Sequence, residues 1–223
     1  MAAPATHRVT LPRLGQAGHV TRPEIWLCRH GETEWSRDGR HTSRTDLPLT
    51  PAGIEQARRL APRLSGVALD LVLTSPRRRS FETAALAGFP GAIVDPAAEE
   101  WDYGEGEGRT TRSIREEIPG WTVWTHPLPG AETPDEVGAR ADKVIERVHA
   151  EAPTRALLFS HAHFLRVLAA RWIELSATEG MRLWLDTASV SVLGWEREVR
   201  AIRRWNISDA AGPIGSGTTR TRP

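Results

Sequence analysis

Residues 24–33 read EIWLCRHGET, and this stretch decides the fold. Its first half, Glu24–Cys28, is almost wholly apolar and of strand length, which is typical of a strand buried in a parallel sheet. Its second half places Arg29, His30 and Gly31 directly after that strand. A buried strand that ends in a polar turn favours an α/β fold with a ligand crevice at the carboxyl end of the strand.

Two further apolar stretches end in the same way. Leu69–Leu73 is followed by TSPRRR (residues 74–79), and Ala156–Phe159 is followed by SHAH (residues 160–163). The carboxyl ends of parallel strands meet at one edge of a sheet. We therefore expect histidines and arginines from three separate parts of the chain to converge on one rim.

The remaining patterns predict the other layers of the fold. Thr50 and Pro51 are typical of a helix start, and the apolar spacing extends that helix through Leu64. Further predicted elements are helices over Arg77–Ala87, Thr133–Ala150 and His163–Ile173, a short strand over Ala92–Val94, and a closing strand pair over Ser189–Trp195 and Val199–Trp205. We expect an α/β fold, a three-layer α/β/α sandwich with a mostly parallel central sheet.

The two ends of the chain lack these patterns. Residues 1–22 mix small, polar and basic residues without periodicity, and residues 209–223 are small, polar and rich in glycine. Such segments bury too little apolar surface to fold by themselves. We expect a flexible segment over 1–22, one domain over 23–208 and a disordered tail over 209–223.

Composition excludes several classes of protein. The 223 residues carry 29 Lys+Arg and 28 Asp+Glu, so the net charge of +1 creates no field for nucleic acid or anionic lipid. Cys28 is the only cysteine, which excludes an internal disulfide and a cysteine-based zinc site. No run reaches the roughly 20 apolar residues of a membrane span, and the first residues lack a secretory pattern. We expect a cytoplasmic protein without nucleic-acid or membrane partners.

The polar rim has the chemistry of an oxyanion site. Arg29 and Arg79 offer guanidinium forks, which bind tetrahedral oxyanions well. His30 and His161 add two imidazoles, and the helix that starts after His161 presents free backbone N–H groups. These residues predict a cationic cage for a phosphoryl group that needs no metal or other cofactor.

Five motifs, in order, resemble the histidine phosphatase superfamily, the phosphoglycerate mutase-like fold. The resemblance spans residues 24 to 195. Its motifs are LCRHGETEWS (27–36) with TDLPLTPAG (45–53), TSPRRRSFETA (74–84), EEWDYGEGEG (99–108), PGAETPDEVGAR (129–140) and LLFSHAHFLRVLAARW (157–172).

The resemblance implies a role for each residue of the cage. It implies that His30 is a nucleophile that becomes transiently phosphorylated, and that Arg29 and Arg79 clamp the phosphate. His161 would be a second pocket histidine that donates to the phosphoryl oxygens, and Glu100 would protonate the leaving oxygen. The chemistry fits, because neutral imidazole is a good nucleophile and a covalent intermediate divides ester hydrolysis into two easier steps.

Three further phosphate contacts are expected at Ser36, Thr42 and Ala162. Ser36 stands where the family often has asparagine, but it keeps a hydrogen-bond donor. Ser43 stands where glycine is common, and so does Ala131. None of these departures removes a catalytic group, so they bear on the choice of substrate.

The identity of the acid rests on spacing. Five carboxylates crowd residues 99–107, and most must be solvated surface charges. Glu100 lies four residues before Gly104, as the resemblance requires. Partial burial beside Trp101 and Tyr103 would help it to hold a proton near neutral pH; Asp102 and Glu105 are the alternatives.

Other candidates have plainer interpretations. His161 and His163 form a His-x-His pair, but no third ligand accompanies them, so His163 is expected to start a helix beside the pocket. Cys28 is interpreted as a core residue, because a cysteine phosphatase would need arginine where this chain has Glu34. Trp121 and Trp124 belong either to a lid or to the core.

We expect a phosphomonoesterase that hydrolyses a small phosphorylated metabolite, with a sugar phosphate as the leading class. The first alternative is phosphoglycerate mutase-type phosphoryl transfer. The second is an inactive binding module on the same fold. The presence of all five residues to which the resemblance assigns a role disfavours it: Arg29, His30, Arg79, Glu100 and His161. The substrate is the only partner predicted, and the sequence leaves a homodimer open.

Overall fold

The computed structural model describes residues 22–152 and 154–208. Its strands are β1 (Glu24–Arg29), β2 (Leu71–Thr74), β3 (Ile93–Val94), β4 (Arg155–Ser160), β5 (Val190–Glu196) and β6 (Val199–Ile207). They form one sheet in the order β3-β2-β4-β1-β5-β6. The predicted flexible segment over 1–22, apart from Arg22, and the predicted tail over 209–223 lie outside the described residues, and the single domain over 23–208 stays a prediction.

The sheet is mostly parallel, as the sequence predicts. Strands β1, β2, β3 and β4 run in one direction, and β5 and β6 form an antiparallel pair at one side. The register places Arg29 opposite Ser160, and Thr74 opposite Phe159. The polar residues that follow β1, β2 and β4 therefore meet at one edge of the sheet.

Helices cover both faces and complete the predicted sandwich. The helices are α1 (Glu34–Asp38), α2 (Pro51–Leu64), α3 (Arg78–Leu86), α4 (Thr111–Glu117), α5 (Pro134–Glu151) and α6 (Ala162–Trp172). Alternate strand residues belong to two separate cores. Trp26 and Phe159 face α2 and α3, whereas Leu27 and Leu158 face α5 and α6.

The longer helices begin where their capping residues predict. The hydroxyl of Thr50 accepts the N–H of Gly53 at 3.0 Å, and Pro51 occupies the first helical position of α2. Thr133 and Glu136 form a reciprocal capping box at the start of α5. Such caps each contribute about 1 kcal/mol and are readable in sequence because they involve near neighbours.

Two short helices are absent from the sequence-based prediction. Helix α1 buries none of its residues, and α4 buries only Ile114. Neither has the repeated apolar face that identifies a helix in sequence. Helix α1 nevertheless shapes the site, because it directs the chain from His30 around the mouth of the pocket.

Candidate active site

His30 follows β1 directly, and the fold determines which of its ring nitrogens carries a proton. Nδ1 lies 2.7 Å from the carbonyl oxygen of Gly31. A carbonyl only accepts, so Nδ1 donates and Nε2 of the neutral ring is left with its lone pair. Gly31 is required here, because a Cβ at this position would lie 2.5 Å from the carbonyl oxygen of Gly53.

The electrostatic surroundings keep His30 neutral. Burial, followed by the charges of Arg79 and Arg29, holds the pKa of His30 well below its ordinary value, although the bond to Gly31 opposes this shift. The solvent-exposed fraction of His30 is 5%. A neutral imidazole with an unprotonated Nε2 beside two guanidinium groups has the chemical character that a nucleophile for an anionic electrophile needs.

Arg79 lies at the start of α3 and is fully buried. Its guanidinium donates to the backbone carbonyls of Thr45, Thr42 and Ser43 at 3.1 to 3.2 Å. These carbonyls hold the guanidinium in one orientation, so Arg79 is preorganised at the carboxyl edge of the sheet.

Arg29 lines the cavity together with His30, whereas Arg79 and His161 are fully buried and are not among the lining residues. One terminal nitrogen of Arg29 donates to the carbonyl of Leu185 at 2.6 Å. Its Nε is buried without a partner among residues 22–152 and 154–208. The guanidinium therefore has donor capacity left for an oxyanion. No local pattern indicates Leu185, because its carbonyl comes from a loop 156 residues away in the chain.

His161 precedes α6 and is enclosed by hydrogen bonds. Its Nδ1 accepts from Nε of Arg79 at 3.2 Å, and its Nε2 lies 2.8 Å from the hydroxyl of Ser75. Burial, then Arg79 and His30, holds the pKa of His161 well below its ordinary value. The rings of His30 and His161 stand 5.1 Å apart. His161 is therefore neutral at neutral pH, and donation to a phosphoryl oxygen would require Nε2 to exchange Ser75 for that oxygen.

Glu100 is the one carboxylate of its crowded loop that lines the cavity. The other four do not line it. Glu99 forms an ion pair with Arg77, and Asp102 forms one with Arg44. Glu107 accepts the backbone N–H groups of Ser43 and Thr45, and Glu105 is exposed to solvent. This placement supports the choice made from spacing.

The carboxylate of Glu100 also caps α6. One oxygen accepts the N–H groups of Trp101 and Phe164 at 2.9 and 2.8 Å, and the other accepts that of His163 at 3.2 Å. The loop therefore supplies the cap that His161 does not provide with its own side chain. These bonds hold the carboxylate of Glu100 in one orientation beside the cavity.

The three further predicted phosphate contacts all line the cavity. The hydroxyl of Ser36 is engaged in the cap of α1 with Thr33, and that of Thr42 donates to the carbonyl of Arg40. Ala162 begins α6, and Glu100 takes the N–H groups of the two residues after it. Ala162 thus offers a backbone donor at a helix start, where anions bind favourably.

Aromatic side chains form the far wall of this cavity of about 530 Å³. Trp121 and Trp124 are 2% and 6% exposed and line the cavity, so they are both core and wall. His163 is the second residue of α6 and lines the cavity, close to its predicted place at a helix start beside the pocket. It contacts Tyr103, whose hydroxyl lies 2.7 Å from its Nδ1. Sequence reasoning missed His41, which packs on Tyr103 and Trp121 and carries no motif of its own.

Two further findings concern metal sites and membrane-spanning helices, both of which the sequence disfavours. Over residues 22–152 and 154–208, no three or more His, Cys, Asp or Glu side chains are grouped so that they could hold a metal ion. Within the same residues, no helix combines the length and apolar character of a bilayer span. Cys28 is fully buried in β1, which confirms its interpretation as a core residue.

Comparison with known proteins agrees with this geometry. Residues 25–208 match the family model of the histidine phosphatase superfamily (branch 1). The chain is 41% identical to an acid phosphatase of Mycobacterium tuberculosis over 201 residues, 89% of this chain and 99% of the relative. It is 33% identical to a sedoheptulose 1,7-bisphosphatase of Saccharomyces cerevisiae, over 69% of this chain and 68% of that protein. A solved structure of a Mycobacterium tuberculosis open reading frame superposes with a TM-score of 0.79 at 40% identity, covering 83% of this chain and 98% of that one.

Proposed function

This chain belongs to the histidine phosphatase superfamily (branch 1) and is a phosphatase, and we propose that it hydrolyses small phosphate monoesters through a phosphohistidine at His30. The observation that carries the proposal is the tautomer of His30. Nδ1–H donates a hydrogen bond to the Gly31 carbonyl, so Nε2 is the unprotonated nitrogen of a ring that lines the cavity. The depressed pKa of His30, caused first by burial, keeps the ring in this form at neutral pH.

Binding of the phosphoryl group uses the cationic edge of the sheet. Arg29 has a buried Nε without a partner among the described residues, and Arg79 is held by backbone carbonyls beside it. Together with the N–H of Ala162, these donors would surround the equatorial oxygens as the P–O bond breaks. Ser36 and Thr42, which line the cavity, and the buried His161 are proposed to complete the contacts. The cage supplies the positive charge that a metal ion would otherwise supply.

The first step forms a bond from Nε2 of His30 to phosphorus and breaks the ester P–O bond. Glu100 gives its proton to the leaving oxygen, which departs as an alcohol. In the second step the Glu100 carboxylate takes a proton from water while that water attacks phosphorus. The N–P bond breaks, inorganic phosphate leaves, and His30 returns to its neutral form.

The leaving group would occupy the aromatic side of the cavity. Trp121, Trp124 and Tyr103 offer flat apolar surface with a few polar tips, which suits a small polyol carbon chain. The bisphosphatase relative acts, by its name, on a sugar phosphate. We propose a sugar phosphate as the substrate class and the cytoplasm as the location, with no partner other than this small ester.

Rapid quenching of the enzyme with ³²P-labelled substrate tests the proposal. We expect protein-bound phosphate that is lost in acid, survives alkali, and maps to the peptide containing His30. The label should form within the first turnover and decay at the rate of phosphate release. Hydrolysis without any protein-bound phosphate, in a quench faster than turnover, would overturn the covalent mechanism.

A further inference from the structure

Ser75 carries a buried hydroxyl group that the reaction described above does not use. The residue follows β2 directly and is fully buried, and its backbone N–H donates to the carbonyl of Phe159 at 2.9 Å. Its hydroxyl oxygen accepts the backbone N–H of Arg77 at 3.3 Å and lies 2.8 Å from Nε2 of His161. These contacts come from separate parts of the chain and fix the position of the hydroxyl oxygen.

The direction of the hydrogen bond between Ser75 and His161 follows from Arg79. Nε of Arg79 lies 3.2 Å from Nδ1 of His161. A guanidinium only donates, so Nδ1 accepts and the proton of the neutral imidazole is on Nε2. Nε2–H therefore donates to the hydroxyl oxygen of Ser75, and the ring of His161 is held at both of its nitrogens.

His161 and Ser75 both lie behind the wall of the cavity. Each is fully buried and neither is among the lining residues, whereas His30 lines the cavity. The ring centroids of His30 and His161 are 5.1 Å apart, so the two imidazoles are neighbours. A single N–H makes one strong hydrogen bond. Nε2–H must therefore give up the hydroxyl of Ser75 before it can donate fully to a phosphoryl oxygen at His30.

We propose that Ser75 is a positioning residue that competes with bound phosphate for Nε2–H of His161, and that it thereby lowers the affinity of the site for inorganic phosphate and favours release of this product. The inference rests on the proposed function, in which His161 donates to the phosphoryl group. Ser75 does not line the cavity, so it acts through His161 rather than on the phosphate itself.

The competition follows from the energy of a buried donor. The hydroxyl of Ser75 satisfies Nε2–H, and phosphate binding exchanges this hydrogen bond for one to a phosphate oxygen. Only the difference between the two bonds contributes to the affinity. Without the hydroxyl, Nε2–H would lose its acceptor among residues 22–152 and 154–208 and would become an unsatisfied buried donor. Phosphate would then relieve that cost, and the whole of its bond to His161 would contribute to the affinity.

Ser75→Ala tests the proposal through product inhibition. The inhibition constant of inorganic phosphate is measured with p-nitrophenyl phosphate as the substrate. We expect this constant to fall by roughly tenfold in Ser75→Ala, as the removal of one competing hydrogen bond predicts. A merely structural role predicts the opposite sign, because a less ordered site binds phosphate more weakly. An inhibition constant that is unchanged or higher in the variant would overturn the inference.

Ser80→Ala is the matched control. Ser80 is also a fully buried serine and belongs to the same stretch of sequence, but its hydroxyl bonds to that of Thr74 at 3.2 Å rather than to a histidine. We expect this variant to keep the wild-type inhibition constant. An equal fall in Ser80→Ala would overturn the inference, since the loss of any buried hydroxyl here would then have the same effect.

NMR of protein with ¹⁵N-labelled histidine follows the proton itself and needs no turnover. We expect the Nε2–H resonance of His161, assigned through His161→Gln, to differ between the wild type and Ser75→Ala before phosphate is added. At phosphate concentrations far above both inhibition constants, the two proteins should give the same resonance, because a phosphate oxygen is then the acceptor in both. A wild-type resonance that does not move on addition of phosphate would overturn the inference.

Failure of the proposed function would look different from failure of this inference. In the first case, the wild type would form no phosphohistidine from p-nitrophenyl phosphate. In the second case, the wild type would form the phosphohistidine and hydrolyse the ester, but phosphate would inhibit Ser75→Ala no more strongly than the wild type.

Discussion

Nε of Arg79 donates to Nδ1 of His161 at 3.2 Å. A guanidinium cannot accept, so this contact places the imidazole proton on Nε2, 2.8 Å from the hydroxyl of Ser75. The same contact helps to keep the ring neutral, because burial and then the charge of Arg79 lower its pKa. An incoming phosphoryl dianion would offset those charges and give Nε2–H a stronger acceptor than Ser75.

His30→Ala should abolish covalent labelling and reduce turnover by roughly 10³-fold or more, because no other described imidazole offers a free Nε2 beside both arginines. Acid-labile phosphate on the protein, measured after rapid quenching, checks this. His149→Ala serves as the control for loss of an imidazole elsewhere. Wild-type labelling in His30→Ala would exclude His30 as the covalent site.

Glu100→Gln should reduce kcat on alkyl phosphates by about 10²–10⁴-fold, the usual contribution of a general acid. The loss should be much smaller on p-nitrophenyl phosphate, whose leaving group needs little protonation. Because Glu100 also caps α6, the melting temperature of the variant is measured in parallel.

Asp102→Asn is the control for Glu100→Gln, since Asp102 pairs with Arg44 away from the cavity wall. We expect it to retain most of the activity on both substrates. An equal loss on both substrates in Glu100→Gln would instead indicate that Glu100 only positions the start of α6.

Activity should survive prolonged treatment with EDTA, because the proposed mechanism draws the positive charge at the phosphoryl group from Arg29 and Arg79, whose charges both act on His30. The measurement is the initial rate before and after dialysis against the chelator. Loss of activity that returns on addition of Zn²⁺ or Mg²⁺ would contradict the metal-independent mechanism.

Phosphate release should exceed mutase activity. A mutase must shield its phosphohistidine from water until transfer, whereas this cavity reaches solvent beside the exposed Trp184. Two assays run in parallel distinguish a phosphatase from a mutase. One measures free phosphate, the other measures interconversion of 3- and 2-phosphoglycerate, and both are run with and without 2,3-bisphosphoglycerate. Fast interconversion with negligible phosphate release would reverse the assignment.

The free energy of unfolding should decrease as the pH falls below 6.5. His30, His41, His161 and His163 have lowered pKa values in the folded state, caused first by burial, and that of His41 falls to about 4. Below 6.5 the unfolded chain binds protons that the folded chain excludes, so stability present above that pH is progressively lost. Each group contributes about 1 kcal/mol of loss between pH 6.5 and 5.5.

His41→Gln isolates one of these contributions. Urea unfolding measures the free energy of unfolding at pH 6.5 and at pH 5.5. The decrease between the two pH values should be about 1 kcal/mol smaller in this variant than in the wild type. The exposed His126→Gln is the control and should leave the decrease unchanged. A wild-type pH dependence in His41→Gln would mean that His41 titrates equally in both states.

The sequence by itself determined the strands, the long helices and the edge at which the site lies. Buried runs such as Glu24–Cys28, the Thr50–Pro51 helix start and the polar turns after three strands are local signals, because each depends on residues within one or two turns of chain. The position of Glu100 four residues before Gly104, which the family resemblance singled out, is also a local property, and Glu100 does line the cavity; its role as the acid stays a prediction.

Only the tertiary structure decided the protonation and hydrogen bonding of the site. Arg29 meets the carbonyl of Leu185 across 156 residues, Arg79 meets His161 across 82, and Tyr103 meets His163 across 60. These contacts exist because the sheet order brings β1, β2 and β4 together and lets distant loops close over their ends. A ring nitrogen takes or loses its proton according to the one group that it faces, and that group is chosen by packing across the whole domain rather than by neighbours in the chain.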